Sequence, residues 1–231
     1  MTLRLAQARG EQIDIINDGD IVLINKPVGI TSFDVIRRLR HISQIKKMGH
    51  AGTLDPLAEG LMILAVGRAT KELPHFVGMD KTYVVSMLVG EQSITGDAEG
   101  EIIAMSSVSE IDLTILNEAV ASIVGCHVFP VPAFSAVKQK GQPLYKEARR
   151  GNKVTPPERK MCVHECKVIE SESVNDKLLV SLEMVVASGV YVRSIVEAIG
   201  RALGYPARVE TLVRTCVGKY SLTHAFELPK K

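Results

Sequence analysis

Apolar and polar residues recur along this chain with two periods, one of two residues and one of between three and four, and the switches between them lay out its elements. Asp20 to Asn25 (DIVLIN) reads as a short buried strand closed by Lys26-Pro27 and a turn at Gly29, because proline removes a ladder donor and fixes φ. Leu61 to Val66 and Tyr83 to Val89 are strand-like, and Leu178, Val180, Leu182, Met184 and Val186 alternate with more polar neighbours as in a half-buried strand. A first helix follows Thr31 or Ser32 as N-cap, with Phe33, Ile36, Leu39 and Ile42 on its apolar side and Arg37, Arg38 and Arg40 exposed. Asp112 caps a second, with Leu113, Leu116, Val120 and Ile123 on one face and Gly125 where a left-handed residue is wanted. Ser194 to Leu203 predicts a third, ended by Gly204. No repeat, low-complexity tract or long linker interrupts the pattern. Residues 1–231 therefore read as one continuous domain of α+β class, a mixed and mostly antiparallel sheet flanked by helices and loops, rather than a doubly wound parallel sheet.

Composition adds little until it is resolved along the chain. With 231 residues, 46% hydrophobic and 23% charged, the chain is ordinary for a globular protein and long enough to bury a core without disulfides. The four cysteines lack the dense spacing of a secreted framework, and residues 1–20 hold no apolar signal-like run, so a reducing cytoplasm is the simplest address. The longest apolar run, Leu61 to Val66, is far short of the roughly 18 to 20 residues that cross a bilayer. A net charge of +2 at first argues against a nucleic-acid partner. That total is a cancellation. Residues 26–71 hold eight bases against three acids, residues 138–167 nine against three and residues 193–219 five against two, whereas residues 90–118 hold seven acids and no base. Segregated charge focuses a positive field that a polyanion feels, although each basic run equally describes a solvated surface.

Chemistry concentrates in one loop, Gly49-His50-Ala51-Gly52-Thr53-Leu54-Asp55-Pro56-Leu57-Ala58-Glu59-Gly60. Proline after Asp55 restricts its backbone to extended conformations, so the carboxylate projects from a rigid turn. The flanking glycines permit sharp turns and close approach of a ligand. Asp-Pro also starts purely structural turns, and that alternative stays open on these residues alone. Gly189-Val190-Tyr191-Val192-Arg193 places an aromatic ring and a guanidinium two residues apart on an extended segment, and Tyr83 offers a second ring at the start of a strand. A tyrosine in a strand is as readily core, a lone arginine surface and a lone histidine structural. Cys162-Val163-His164-Glu165-Cys166 has no second ligand pair nearby and is not a zinc-finger pattern.

The run GHAGTLDPLAEGLMILAVGRATKE closely resembles the catalytic signature of the TruB-type tRNA pseudouridine synthases, G-H-x-G-x-L-D-P-x-A-x-G-x-L followed by G-x-A-T-K. Further agreements follow in the family's order: Asn25-Lys26-Pro27 with Gly29, Thr31 and Ser32; Lys81-x-Tyr83; Thr95-Gly96-Asp97-x-Glu99-Gly100; Pro132-x-Phe134-Ser135-Ala136-x-Lys138. Gly141 with Leu144-Tyr145 and Ala148-Arg149-x-Gly151, Ser188-Gly189-x-Tyr191-x-Arg193 and Leu212-x-Arg214-Thr215 complete it, over about residues 20–218.

The resemblance implies the pseudouridine synthase fold and conversion of the T-loop uridine of tRNA, position 55 in the usual convention, to pseudouridine without metal or cofactor. It implies that Asp55 is catalytic and pairs with Arg193, that Tyr83 stacks on the flipped uracil, and that Tyr191 contacts the base and assists proton removal from C5. Leu212 would close the apolar side of the pocket and His50 would fill the vacancy left by the flipped base. Lys26 and Lys71 would support the site or the RNA backbone. Residues 125–155 would form a basic insertion gripping the T arm through Lys138, Lys140, Lys146, Arg149, Arg150 and Lys153. A cytoplasmic monomer is expected. Many bacterial relatives continue into a small C-terminal RNA-binding domain; with 17 residues after Arg214, none is expected here. Where relatives commonly read Thr-Asp-Thr-Gly-Asp, this chain reads Ser93-Ile94-Thr95-Gly96-Asp97. Two alternatives remain: a synthase acting on another RNA, and a non-catalytic RNA-binding or chaperone protein.

Overall fold

The computed structural model describes residues 4–5, 7–9, 12–108, 110–139, 141–151 and 154–228. Two compact units emerge, one made of Met1–Val84 with Leu212–Lys231 and the other of Val85–Thr211. In chain order the principal elements are β1 (Asp20–Lys26), α1 (Ser32–Ser43), β2 (Met48–His50), β3 (Glu59–Val66), β4 (Lys81–Val89), α2 (Leu113–Ser122), β5 (Gly125–Pro130), β6 (Glu158–Val174), β7 (Lys177–Val186), α3 (Val192–Leu203) and β8 (Ala207–Val217). The strands β4 and β8 each contribute residues to both units.

In the first unit the apolar β3 is central. Its one edge takes β1 antiparallel, from Ile21 opposite Ala65 to Lys26 opposite Gly60. The other edge is shared: β2 pairs antiparallel with residues 64–66, and the end of β8 runs parallel, with Val213 opposite Glu59 and Arg214 opposite Gly60. Ile21 and Leu23 of β1 and Leu61, Ile63 and Ala65 of β3 obey the two-residue period and bury one face with Ala51, Ala69, Phe76 and Val217. α1 starts with a capping box: the Thr31 side chain accepts from the Asp34 amide, and the Asp34 carboxylate accepts from the Thr31 amide. Its buried face is Ser32, Val35, Ile36 and Leu39, whereas Phe33 and Ile42, expected on that face, are exposed. Phe33 lies off the 32/35/36/39 row, and Ile36 and Leu39 alone hold the predicted phase.

In the second unit β6 pairs antiparallel with β5 on one side and β7 on the other, and β7 alternates buried and half-buried along its length as the sequence predicts. α2 is capped by Asp112, which accepts from the Thr114 amide. It buries Leu116, Ala119 and Val120 against α3 and β6, while Leu113 stays exposed. Gly125, expected just past that helix, has φ of 108° and opens β5, with Ile123 as the right-handed C-cap. α3 begins at Val192, two residues earlier than the apolar pattern suggests, and is followed by left-handed Gly204 as its C-cap. Arg193 therefore sits in the first helical turn, not on an extended segment. The composition gave no reason to expect a disulfide, yet Cys126 and Cys162 lie directly opposite in the β5–β6 register and are bonded. Cys166 and Cys216 are free, and burial pushes the Cys166 thiol up to about 12.

Candidate active site

The Asp55 turn leaves β2 and returns into β3, all within the first unit. Ala51 donates to the Ile63 carbonyl at 2.9 Å, and Ala58 donates to the Asp55 carbonyl at 3.1 Å, which closes the turn. Between these points it is braced by side chains distant in sequence. The Ser32 hydroxyl donates to the Leu54 carbonyl at 3.0 Å and accepts from the Leu54 amide at 2.8 Å. Gly29 donates to the Pro56 carbonyl at 2.8 Å. Lys26 is fully buried, and its ammonium donates to the carbonyls of Pro27 at 2.9 Å, Ile30 at 2.8 Å and Pro56 at 3.4 Å. The residues on either side of Asp55 are thus fixed to α1's start and to the chain after β1. Buried backbone groups are costly to leave unmet, so these bonds make the turn rigid.

Opposite Lys26 across β3 stands a second buried cation. Arg214 is 1% exposed and donates to the Leu61 carbonyl at 2.7 Å and the Gly52 carbonyl at 3.2 Å, gripping both ends of the loop. Gly60 is the register partner of both Lys26 and Arg214. Its φ is +106°, and a Cβ there would fall 2.4 Å from the Arg214 carbonyl oxygen, so glycine alone admits this approach. Arg214 also acts through space. Burial, with this guanidinium adding to it, lowers the His50 imidazole below its usual value against a Gly52 backbone hydrogen bond, and buried Nδ1 of His50 makes no hydrogen bond among the described residues. Burial and then Arg214 likewise push Lys81 down to about 8, while its ammonium donates to the carbonyls of Val77 and Met79. Burial and Arg214 thus both disfavour the charged form of His50.

The structure puts Asp55, His50, Lys26, Lys71, Tyr83 and Leu212 in the first unit and Tyr191, Arg193 and the basic segment in the second. Tyr83 and Leu212 are 8% and 7% exposed on the buried faces of β4 and β8, and Lys71 is exposed in a 3₁₀ turn. Lys26, expected to support the site or the RNA backbone, has its ammonium committed to carbonyls in the interior, so it supports the turn and not phosphates. Tyr191 is the half-buried N-cap of α3. Arg193 donates to the carbonyls of Thr95 at 2.8 Å and Phe134 at 3.2 Å and lies 3.7 Å from Asp97, whose other carboxylate oxygen accepts from Thr95 and Glu99. Lys138, Lys146, Arg149 and Arg150 are exposed on a short hairpin and helix; Arg150 pairs with Glu147 at 2.7 Å and Arg149 lies over the Tyr145 ring. Lys140 and Lys153 lie outside the described residues. Among the described residues no cluster of three or more His, Cys, Asp or Glu could hold a metal, and no helix is long and apolar enough to cross a membrane.

Ser32 and Arg214 belong to the resembling motifs, but neither residue's sequence context assigns it a role. Their hydroxyl and guanidinium are visible as braces only once strands far apart in sequence are paired.

A mixed sheet flanked by helices is the pseudouridine synthase fold. Among solved structures, the one titled "Crystal Structure of a Cbf5-Nop10-Gar1 Complex" matches 87% of this chain and 49% of that chain at 25% identity and a TM-score of 0.65. Another, titled "Structure of H/ACA RNP bound to a substrate RNA containing 2'-deoxyuridine", matches 90% of this chain and 50% of that one at 22% identity and a TM-score of 0.64. Residues 40–192 match the TruB family pseudouridylate synthase (N terminal domain). The chain is 36% identical over 208 residues to the tRNA pseudouridine synthase B of Arthrobacter sp. (strain FB24), covering 89% of this chain and 68% of that protein. It is 40% identical over 208 residues to the protein of the same name from Burkholderia pseudomallei (strain 668), covering 90% and 67%. It thus spans about two thirds of the length of these curated relatives and half of the solved chains. The chain belongs to the TruB family of pseudouridylate synthases, a family of isomerases.

Proposed function

We propose that this protein isomerises the T-loop uridine of tRNA, position 55 in the usual convention, to pseudouridine, in the cytoplasm and as a monomer. The observation that carries the reading is the Asp55 turn, in which Ser32 and Lys26 brace the residues on either side of one carboxylate and Arg214 holds the loop at Gly52 and Leu61, in a chain 36% to 40% identical to tRNA pseudouridine synthases B. The bond from C1′ to N1 breaks, a bond from C1′ to C5 forms, C5 loses a proton and N1 gains one. Nothing is added or removed overall, so stoichiometry calls for neither water nor a redox partner. A hydrolytic glycosidase needs a second carboxyl group to activate water; here uracil is itself the incoming group and one carboxylate suffices. Asp55 is the catalytic residue in this assignment, and its rigid presentation holds reacting atoms near attack geometry.

Tyr83 stacks on the flipped uracil, Leu212 closes the apolar side of its pocket, and His50 fills the stack after flipping. A neutral imidazole suits that task, since an imidazolium would carry its desolvation cost into the stack. Tyr191 and Arg193 enter the assignment through the resemblance, and Lys138, Lys146, Arg149 and Arg150 hold the phosphates of the T arm. The test is incubation of the protein with an unmodified tRNA and with its isolated T-arm stem-loop, followed by pseudouridine-specific chemical mapping. Modification confined to the T-loop uridine in both substrates is expected. A substrate pool in which another RNA is modified and tRNA is not would overturn the choice of substrate.

A further inference from the structure

The outer face of α1 is unlike a solvated helix surface. Phe33 is 57% exposed there, and Arg37 and Arg40 follow at four and seven residues, which places all three on one stripe. The Arg40 guanidinium lies 5.8 Å from the centre of the Phe33 ring, and the Arg37 side chain is 68% exposed. Exposed Gln44, Lys46 and Lys47 continue past the helix, and Val28, 56% exposed, precedes it. Between residues 27 and 54 Asp34 is the sole acid, against Arg37, Arg38, Arg40, Lys46 and Lys47. Asp34 is already engaged, by the capping box and by Arg37. A large apolar ring left in water among cations is costly for a surface with no partner and suits a polyanion that also carries stacking faces. The stripe also adjoins the site, because Ser32, the residue before Phe33, is bonded to Leu54 beside Asp55.

We propose that this stripe is a second RNA-contact surface, in which the Phe33 ring stacks on an unpaired base next to the target nucleotide while Arg37 holds the adjoining phosphate and Arg40, half-buried and bonded to the Met48 carbonyl, supports the ring. The proposal rests on the reading of the protein as an RNA-modifying enzyme and adds a subsite outside the basic 125–155 segment. Stacking on one aromatic side chain is worth enough to change affinity at least fivefold, and each phosphate contact adds about 0.7 to 0.9 to the salt slope.

The experiment measures Kd of the full chain for a fluorescent T-arm stem-loop by anisotropy from 50 to 200 mM salt, with KM and kcat on the same RNA. Phe33→Ala should raise Kd and KM at least fivefold, with the greater part of any activity loss in KM, and leave the salt slope unchanged. Phe33→Tyr should restore binding. Arg37→Gln should lower the slope by about 0.7 to 0.9, as loss of one phosphate contact requires. Kd within twofold of wild type in Phe33→Ala, or an unchanged slope in Arg37→Gln while a Lys146/Arg149/Arg150 neutralisation does flatten it, would overturn the subsite. Because binding is read directly, an inactive protein that still shows the Phe33 and Arg37 effects would refute the catalytic reading alone.

Discussion

Replacing Ser32 with alanine removes one oxygen and two hydrogen bonds, both to Leu54, the residue before Asp55. Ser32 and Leu54 are 2% and 3% exposed, so the orphaned amide and carbonyl face no ready solvent. If the turn stays closed, each unmet group costs about 1 to 3 kcal/mol. If it opens to water, only the net worth of each bond is lost, about 1 kcal/mol apiece, but Asp55 moves. The expected loss of unfolding free energy is therefore roughly 2 to 6 kcal/mol, and a displacement near 1 Å costs about 100-fold in the rate of the bound complex. Ser43→Ala is a matched control at the other end of α1. Its hydroxyl also makes two hydrogen bonds, to the Leu39 carbonyl and from the Ile45 amide, but it is half-buried and remote from the turn. Urea unfolding gives the stabilities. Single-turnover release of tritium from C5-labelled uridine in a T-arm RNA, with enzyme in excess, gives the rate. A Ser32→Ala protein as active as Ser43→Ala and within about 0.5 kcal/mol of it would refute the claim that these bonds position Asp55.

Gly60→Ala should fail to give soluble folded protein or lose several kcal/mol, because the new Cβ would strike backbone atoms of Arg214 at a left-handed φ; a wild-type urea midpoint would contradict this. Lys81 is held down to about 8 in the folded chain against 10.5 in the unfolded one, so between those values the unfolded state binds more protons and stability rises with pH. Urea midpoints from pH 7.5 to 10.5 should show that rise, and Lys81→Met should remove it. His50, lowered from 6.5 on folding, should resist protonation, so that its ring resonances stay those of the neutral form when free histidine titrates and stability falls as pH drops below about 6.5. The disulfide closes a sequence separation of 36, worth about 4 kcal/mol in the chain-entropy description; Cys126→Ser should therefore lower stability under oxidising conditions and change nothing under reducing ones.

The strands were legible in two ways: DIVLIN and Leu61 to Val66 as short, almost continuously buried apolar runs, and Leu178 to Val186 by alternation with a period of two. Helix phase was less so. Phe33, Ile42 and Leu113 are apolar and exposed, and periodicity alone ranks them with the core. The Asp55 loop announces itself through its glycines and proline, but not what holds it. Lys26 and Arg214 have the composition of surface residues, and only register places both opposite Gly60. The braces span sequence separations of 22, 30 and 162 residues, and no local pattern encodes such distances. Cys126 and Cys162 were likewise hidden until β5 and β6 were paired.

Asp55→Asn tests the central claim most directly, since it removes the carboxylate charge while keeping the side chain's size. Its amide adds no bulk to a turn fixed by Ser32, Lys26 and Arg214. Incubated with T-arm RNA at saturating enzyme, this variant should bind with wild-type Kd and form no pseudouridine over many wild-type half-times. Pseudouridine at the T-loop uridine at the wild-type rate would contradict the assignment of Asp55 as the catalytic group.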